Sequence, residues 1–415
     1  MWAGVWAALA WGAALSRAGD WPQILGPERN GRAADEPDLV AWAAGGPHVQ
    51  WSGELGEGYA GPAVVGSRVI VFHRVADRER LEALDATSGE SLWRADFPAT
   101  YAGGINPDRG PRCVPLIHEQ RVYAYGAAGD LHCVRLSDGQ PLWSRQTLAE
   151  FSGREGYFGA GSTPIVADGK ILVNVGGKQS GLVAFQLLDG ATAWQATDEG
   201  ASYSSPTASR VAGEPCVIFV TRLNAVGVAP RDGTIRFRFA FGERGPTVNA
   251  ATPLVFDHYL FLSASYGIGA QLLRLEATGP APIWANDASM SSQYSTCVYD
   301  RGFLYGTHGR EDAGEVELRC LEAVTGHVRW RVPDFRPAHV TLVGSQLLVL
   351  TSEGRLFLAP ASPEGFRPLA QATVSQRVTR ALPALSRGKL FFRDNDEAAR
   401  NGRLICLELA PPPPP

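Results

Sequence analysis

Helical periodicity is the first thing this sequence lacks. Apolar residues seldom recur at the 3.6-residue spacing of an amphipathic helix. With 47 Gly and 29 Pro among 415 residues, the chain is also poor material for long helices. Basic clusters are missing: the formal charge is −4 and the pI lies near 6.1, which leaves no electrostatic footprint for nucleic acid. The eight His are scattered, with no pair at zinc-ligand spacing, so no metal site is expected. No nucleophile elbow, P-loop or dinucleotide fingerprint occurs. Beyond the first 18 residues no run is long and apolar enough to span a bilayer.

What the chain has instead is short apolar runs bounded by Gly, Pro, Asp and Asn. "RVIVFHR", "RVYAYGA", "KILVNVG", "CVIFVT", "YLFLSAS", "FLYGTHG", "QLLVLTS" and "KLFFRD" all read as strands. Between them one unit recurs. In "LDATSGESLW" a strand ends, a polar turn places Gly89 where positive φ is needed, and Trp93 follows four residues later. The same offset returns at Gly139/Trp143, Gly190/Trp194 and Gly326/Trp330, with weaker copies at Gly233/Phe237, Gly279/Trp284 and Gly365/Leu369. Anchors at 93, 143, 194, 237, 284, 330 and 369, aromatic in all but the last, give a period of 39 to 51 residues, the content of one four-stranded propeller blade.

The two ends of the repeat array complement each other. Trp51 sits in a strand of the kind that follows a repeat turn, but no blade precedes it; "ICLEL" near the end stops where a turn and an aromatic strand should follow. An open ring would leave strand edges unpaired. The expectation is an all-β, eight-bladed β-propeller of four-stranded antiparallel blades over residues 46–410, the last blade closed by the N-terminal strand. Six of the 11 Trp then hold the repeat position, at 51, 93, 143, 194, 284 and 330.

Outside the ring, residues 1–18 read as a signal peptide, with Ser16-x-Ala18 as the cleavage site before Gly19. No Cys near that site offers a lipidation point, so the expected location is periplasmic or secreted. Residues 19–45, with Trp21, Trp42 and "GPERNGR", read as an ordered leader strap, and 411–415 as a Pro-rich tail.

The repeat "ALDATSGESLW" resembles the tryptophan-docking repeat of the quinoprotein (PQQ-binding-like) β-propellers, roughly A-x-D-x-x-T-G-x-x-x-W. The opening "WPQILGPERNG" is similar to the leader of secreted members. The resemblance implies that each Trp of an outermost strand packs between neighbouring blades, giving Trp51, Gly89, Trp93, Gly139, Trp143, Gly190, Trp194, Trp284, Gly326 and Trp330 a structural role. It also implies two branches. In one, PQQ and a calcium ion sit in an axial funnel with a vicinal Cys pair, a Trp floor and an Asp base; this chain has no adjacent Cys and no Trp to spare. The other branch is non-catalytic and includes the scaffold of the outer-membrane protein assembly machine. The expectation is therefore a monomeric, non-catalytic module that binds protein, peptide or glycan at one propeller face. An oxidoreductase using PQQ and calcium is the alternative.

Three smaller groups bear on function. Cys133, Cys320 and Cys406 occupy one repeat position, where the first blade has Ala83, and read as small buried packing residues. Cys113 and Cys297 are assigned to inner strands of the blades holding Cys133 and Cys320, too far away for disulfides, so free buried thiols are expected. Asp394, Asn395, Asp396 and Glu397 read as a solvated acidic turn, with calcium as the sharper possibility. Finally, aligning the copies on their inner-strand Pro places Tyr59, Arg112, Gly161, Tyr203, Ala250, Tyr294 and Arg380 at one mouth of the channel, with Asn249 one step earlier. Three tyrosines and two arginines there could grip a ligand, or could bond one another and fill the axis. Longer loops "YAGGINPDRG" and "AEFSGREGYFGAG" extend the same rim.

Overall fold

All eight apolar runs fold as the second strand of a blade. Stacking of blades face to face buries both sides of the two middle strands, so these read as continuous apolar runs rather than alternating ones. Lys170–Gly177 is buried along almost its whole length, whereas the outermost strand Ser91–Pro98 alternates between exposed and buried. The structure is a computed structural model that describes residues 19–409; the expected signal peptide and Pro-rich tail lie outside the described residues. The sole helix among those residues is the single turn Thr147–Glu150.

Eight antiparallel sheets form the ring. Seven are continuous in sequence, at 63–98, 116–146, 165–196, 207–240, 254–286, 298–332 and 338–373. The eighth joins three strands between 384 and 408 to His48–Leu55, which pairs antiparallel with Asn401–Glu408 and sets Trp51 opposite Cys406. The ring closes as the ends of the repeat array implied.

The repeated indoles form the seams. Each crosses to the next blade and donates its Nε1–H to a turn carbonyl: Trp51 to Ala86 (3.2 Å), Trp93 to Leu136 (3.0 Å), Trp143 to Leu187 (3.1 Å), Trp194 to Pro230 (2.9 Å), Trp284 to Ala323 (3.0 Å) and Trp330 to Ser362 (2.8 Å). In all but the last of these the ring lies on the glycine of that turn; Trp330 packs against Phe366 instead. Gly139 has φ +72°, and a Cβ there would come 2.4 Å from Trp93 Cε3; Gly190 stands in the same relation to Trp143, at 2.7 Å. Per seam, burial contributes about 2 kcal/mol and the hydrogen bond about 1. Across the sheet each aromatic usually faces a small residue, Ala83, Cys133, Ala184, Gly227, Cys320 or Cys406, which leaves room for the ring. The weak copy at Leu369 does not dock and is 52% exposed. Its blade is followed by the composite one, whose third and fourth strands come from opposite ends of the chain and so have no turn to dock on.

The leader does more than the sequence suggested. Arg32–Ala33 adds a fifth strand, parallel to Ala338–Val343, on the inner edge of the seventh blade. Trp21 bridges Val64 of the first blade, Pro22 O accepts from Ile117 N of the second, and Gly19 O accepts from Ser386 Oγ of the eighth. Arg29 is fully buried and donates to the carbonyls of Thr163, Pro164 and Pro206 at the head of the third and fourth blades. A segment touching the inner strands of so many blades can only lie along the axis. It enters from the face carrying the first hairpin turns, where Asp20 takes Gly66 N and Asp38 takes Ser345 N.

Candidate functional site at the axial mouth

Alternating strand direction puts the inter-blade loops, and the loops joining second to third strands, on the face opposite the leader's entry. Four of the residues singled out from sequence meet there. Tyr59 Oη donates to Glu397 Oε1 (2.7 Å), and Arg380 reaches Glu397 (3.1 Å) and Glu311 (3.0 Å). Glu311 also accepts from Ser352 Oγ (3.1 Å) and, at 3.5 Å, from Tyr294 Oη. The chain Tyr59–Glu397–Arg380–Glu311–Tyr294 thus links the first, eighth and sixth blades. Arg112 lies 5.7 Å over the Tyr59 ring and 6.0 Å over Tyr101, and it pairs with Asp108 (3.2 Å). Burial, reinforced by the bond to Glu397, pushes the Tyr59 hydroxyl up to about 12, so it remains a donor at any physiological pH.

The other two serve elsewhere. Tyr203 accepts from Phe158 N (2.7 Å), and its ring lies against Gly161, where a Cβ would come within 2.4 Å. Asn249 is 1% exposed and stitches two blades: its side-chain amide donates to Thr221 O (2.9 Å) and Phe241 O (3.2 Å), while its backbone carbonyl accepts from Tyr203 N and Ser204 N. It faces no opening.

The solvated acidic turn is not one. Lys389–Asp396 is a single strand, and Asp394 is fully buried, bound by Ser375 (2.8 Å) and Arg403 (2.6 Å). Asn395 is buried too, donating to Gly58 O (2.7 Å). Only Glu397 reaches the mouth. No cluster of three or more His, Cys, Asp or Glu suited to a metal ion occurs among the described residues. All six cysteines are free and buried; Cys113 and Cys297 fall just before, not on, the inner strands Leu116–His118 and Val298–Asp300.

Glu311 and Glu397 are the members the sequence reading missed. Both are the first residue after a long second strand, Phe303–Arg310 and Lys389–Asp396, so repeat alignment of those loops would have found them. The two longer rim loops meet. Ile105 N donates to Tyr157 O (3.2 Å), and both side chains face solvent, Ile105 71% and Tyr157 41% exposed. Glu57 anchors one of the loops through Arg109 (2.9 Å) and Arg400 (2.8 Å). Burial opposes its charge, but these arginines hold its carboxyl down at about 2.

Eight four-stranded blades around an axis entered by a leader, six of their seams closed by a docked tryptophan, define a PQQ-like β-propeller. A family model described as "Outer membrane protein assembly factor BamB" matches residues 9–155 and 77–332, and the chain belongs to that family. Over 140 residues it is 31% identical to outer membrane protein assembly factor BamB of Alkalilimnicola ehrlichii, covering 33% of this chain and 32% of that protein. The match thus spans about a third of that relative's length. BamB from Moraxella catarrhalis superposes with TM-score 0.61 at 15% identity, covering 87% of this chain and 97% of that one. A quinohemoprotein alcohol dehydrogenase from Comamonas testosteroni superposes with TM-score 0.74 at 14% identity, covering 97% and 82%. At such identities the likeness is one of fold.

Proposed function

We propose that this chain is a non-catalytic scaffold of the cell envelope that binds a protein partner through its loop face during outer-membrane protein assembly. The observation that carries the reading is the division of labour on that face. At the centre, the charges satisfy one another; at the rim, two lengthened loops pack together and expose Ile105 and Tyr157. Exposed aromatic and aliphatic side chains on well-anchored loops are the usual nucleus of a protein interface. The family's described role supports an envelope location, and no helix among the described residues is long and apolar enough to cross a membrane.

The oxidoreductase alternative draws on the dehydrogenase fold likeness. The residues at the mouth do not fit a quinone with calcium. Glu311, Glu397 and Asp108, the carboxylates of this network, are each paired with an arginine that would repel the ion. The six repeat indoles lie in the seams, so none offers a stacking floor, and the leader occupies the axis below.

The test is genetic complementation. Cells lacking the protein should show depleted outer-membrane β-barrel proteins, restored by wild type but not by an Ile105→Asp/Tyr157→Asp variant of unchanged thermal stability. Full restoration by that variant would remove the rim from the interface. Dye-linked alcohol or sugar oxidation after incubation with PQQ and Ca²⁺ would overturn the non-catalytic reading.

A further inference from the structure

Away from the axis, the loop face carries a cleft of about 690 Å³ between the fifth and sixth blades, within the size range of small-ligand sites. Its walls are half polar and half apolar, and the polar groups are held from behind. Ser291 N donates to His308 Nδ1 (3.0 Å), which fixes the ring tautomer and leaves Nε2 as the protonated nitrogen. Ser291 Oγ binds the Asp287 carboxylate, and Ser265 Oγ ties Ser291 O (2.8 Å) to Gly309 O (3.1 Å). Arg319, 7% exposed, is taken up by Glu317 (2.6 Å) and the carbonyls of Ala288 and Ser289. Arg310 lies 4.4 Å over the Tyr266 ring and pairs with Asp312.

The charge balance selects the ligand. Both arginines are neutralised by their own carboxylates, while Asp287, Glu315 and Asp334 line the cleft with no ion pair among the described residues. A phosphate, sulfate or carboxylate would meet uncompensated acids. A cationic side chain would find the Tyr266 face already covered by Arg310. A wholly apolar ligand would strand the polar groups that make up half of the lining without partners. A neutral polyol satisfies all of them, since vicinal hydroxyls donate in pairs to a carboxylate and a hydroxyl oxygen accepts from an imidazole N–H. Pro246, Pro333 and the edge of Tyr266 offer surface for the C–H face of a sugar ring.

We propose that this cleft binds a neutral saccharide, with hydroxyls donating to Asp287 and Glu315 and accepting from His308 Nε2–H. The site is separate from the rim loops at Ile105 and Tyr157, so either can fail without the other.

Calorimetric titration of the intact chain with maltohexaose, cellohexaose and chitohexaose tests it, with an arginine-rich decapeptide and inorganic phosphate as competing probes. At least one hexasaccharide should bind, with little dependence on salt. Glu315→Gln, at an exposed position, should weaken that binding about tenfold, the loss of one charge-assisted hydrogen bond. His308→Ala should do the same while the thermal midpoint confirms its fold. The proposal falls if none of the three sugars binds, if Glu315→Gln binds as wild type does, or if the decapeptide or phosphate binds in preference.

Discussion

Replacing Gly139 by alanine tests whether the indole-on-glycine seam holds the ring together. The residue has φ +72°, which costs an L side chain about 1 kcal/mol. Gly169, in a hairpin turn at φ +67° with nothing within 4 Å of its would-be Cβ, carries the same backbone cost and no other. At Gly139 the new methyl would lie 2.4 Å from Trp93 Cε3, so the ring must retreat. Overpacking of this kind adds about 1–3 kcal/mol, and displacement weakens the 3.0 Å bond to Leu136 O by up to about 1 more. The expected losses are about 3 kcal/mol for Gly139→Ala and about 1 for Gly169→Ala. Urea denaturation followed by tryptophan fluorescence measures both, as midpoint shifts at constant slope. Trp93→Ala should cost about 3–5 kcal/mol alone, and adding Gly139→Ala to it should cost about 2 less than in the wild type. Equal losses at 139 and 169, or additivity in the double variant, would refute the seam argument.

Three further outcomes follow from named contacts. Arg29→Met should loosen the leader by about 3 kcal/mol, because the carbonyls of Thr163, Pro164 and Pro206 lose a charged donor; amide exchange over residues 19–36 should rise, and unchanged protection would contradict the axial rivet. His132 and His339 are held near 4 by burial, below the unfolded value of 6.5, so the stability they confer is full above that value and is lost as pH falls towards 4, by roughly 3 kcal/mol each. Glu79, pushed up to about 7 by burial, runs the opposite way, so the check is His132→Gln, whose stability deficit against wild type should shrink from pH 7 to pH 4. All six thiols should resist a disulfide reagent at pH 8 in the native state and react together in guanidinium, since burial pushes Cys113 and Cys297 up to about 12; a fast-reacting native thiol would contradict their burial.

The blades were legible because their signals are local. A two-faced apolar run, a turn glycine and an indole four residues later lie within about 25 residues, and tertiary packing repeats them rather than overriding them. Ring closure was legible because Trp51 and "ICLEL" are halves of one such unit, and the structure pairs Trp51 with Cys406. The mouth was legible in part. Repeat alignment brings Tyr59, Arg112, Tyr294 and Arg380 together, but it also selected Tyr203 and Asn249, which bond backbone instead. Position in a repeat fixes where a Cα stands on the ring, not which neighbour its side chain will choose.

Sequence alone therefore determined the repeat, the number of blades and the composite last blade, all consequences of short-range pattern and edge pairing. Only the tertiary structure decided what fills the axis and which charges meet. Arg29 finds carbonyls more than 130 residues away, Glu397 reaches Tyr59 across 338 residues, and Asp394 is buried rather than solvated. Such contacts depend on curvature that brings distant blades to a common centre, and no local periodicity encodes which side chains face one another there.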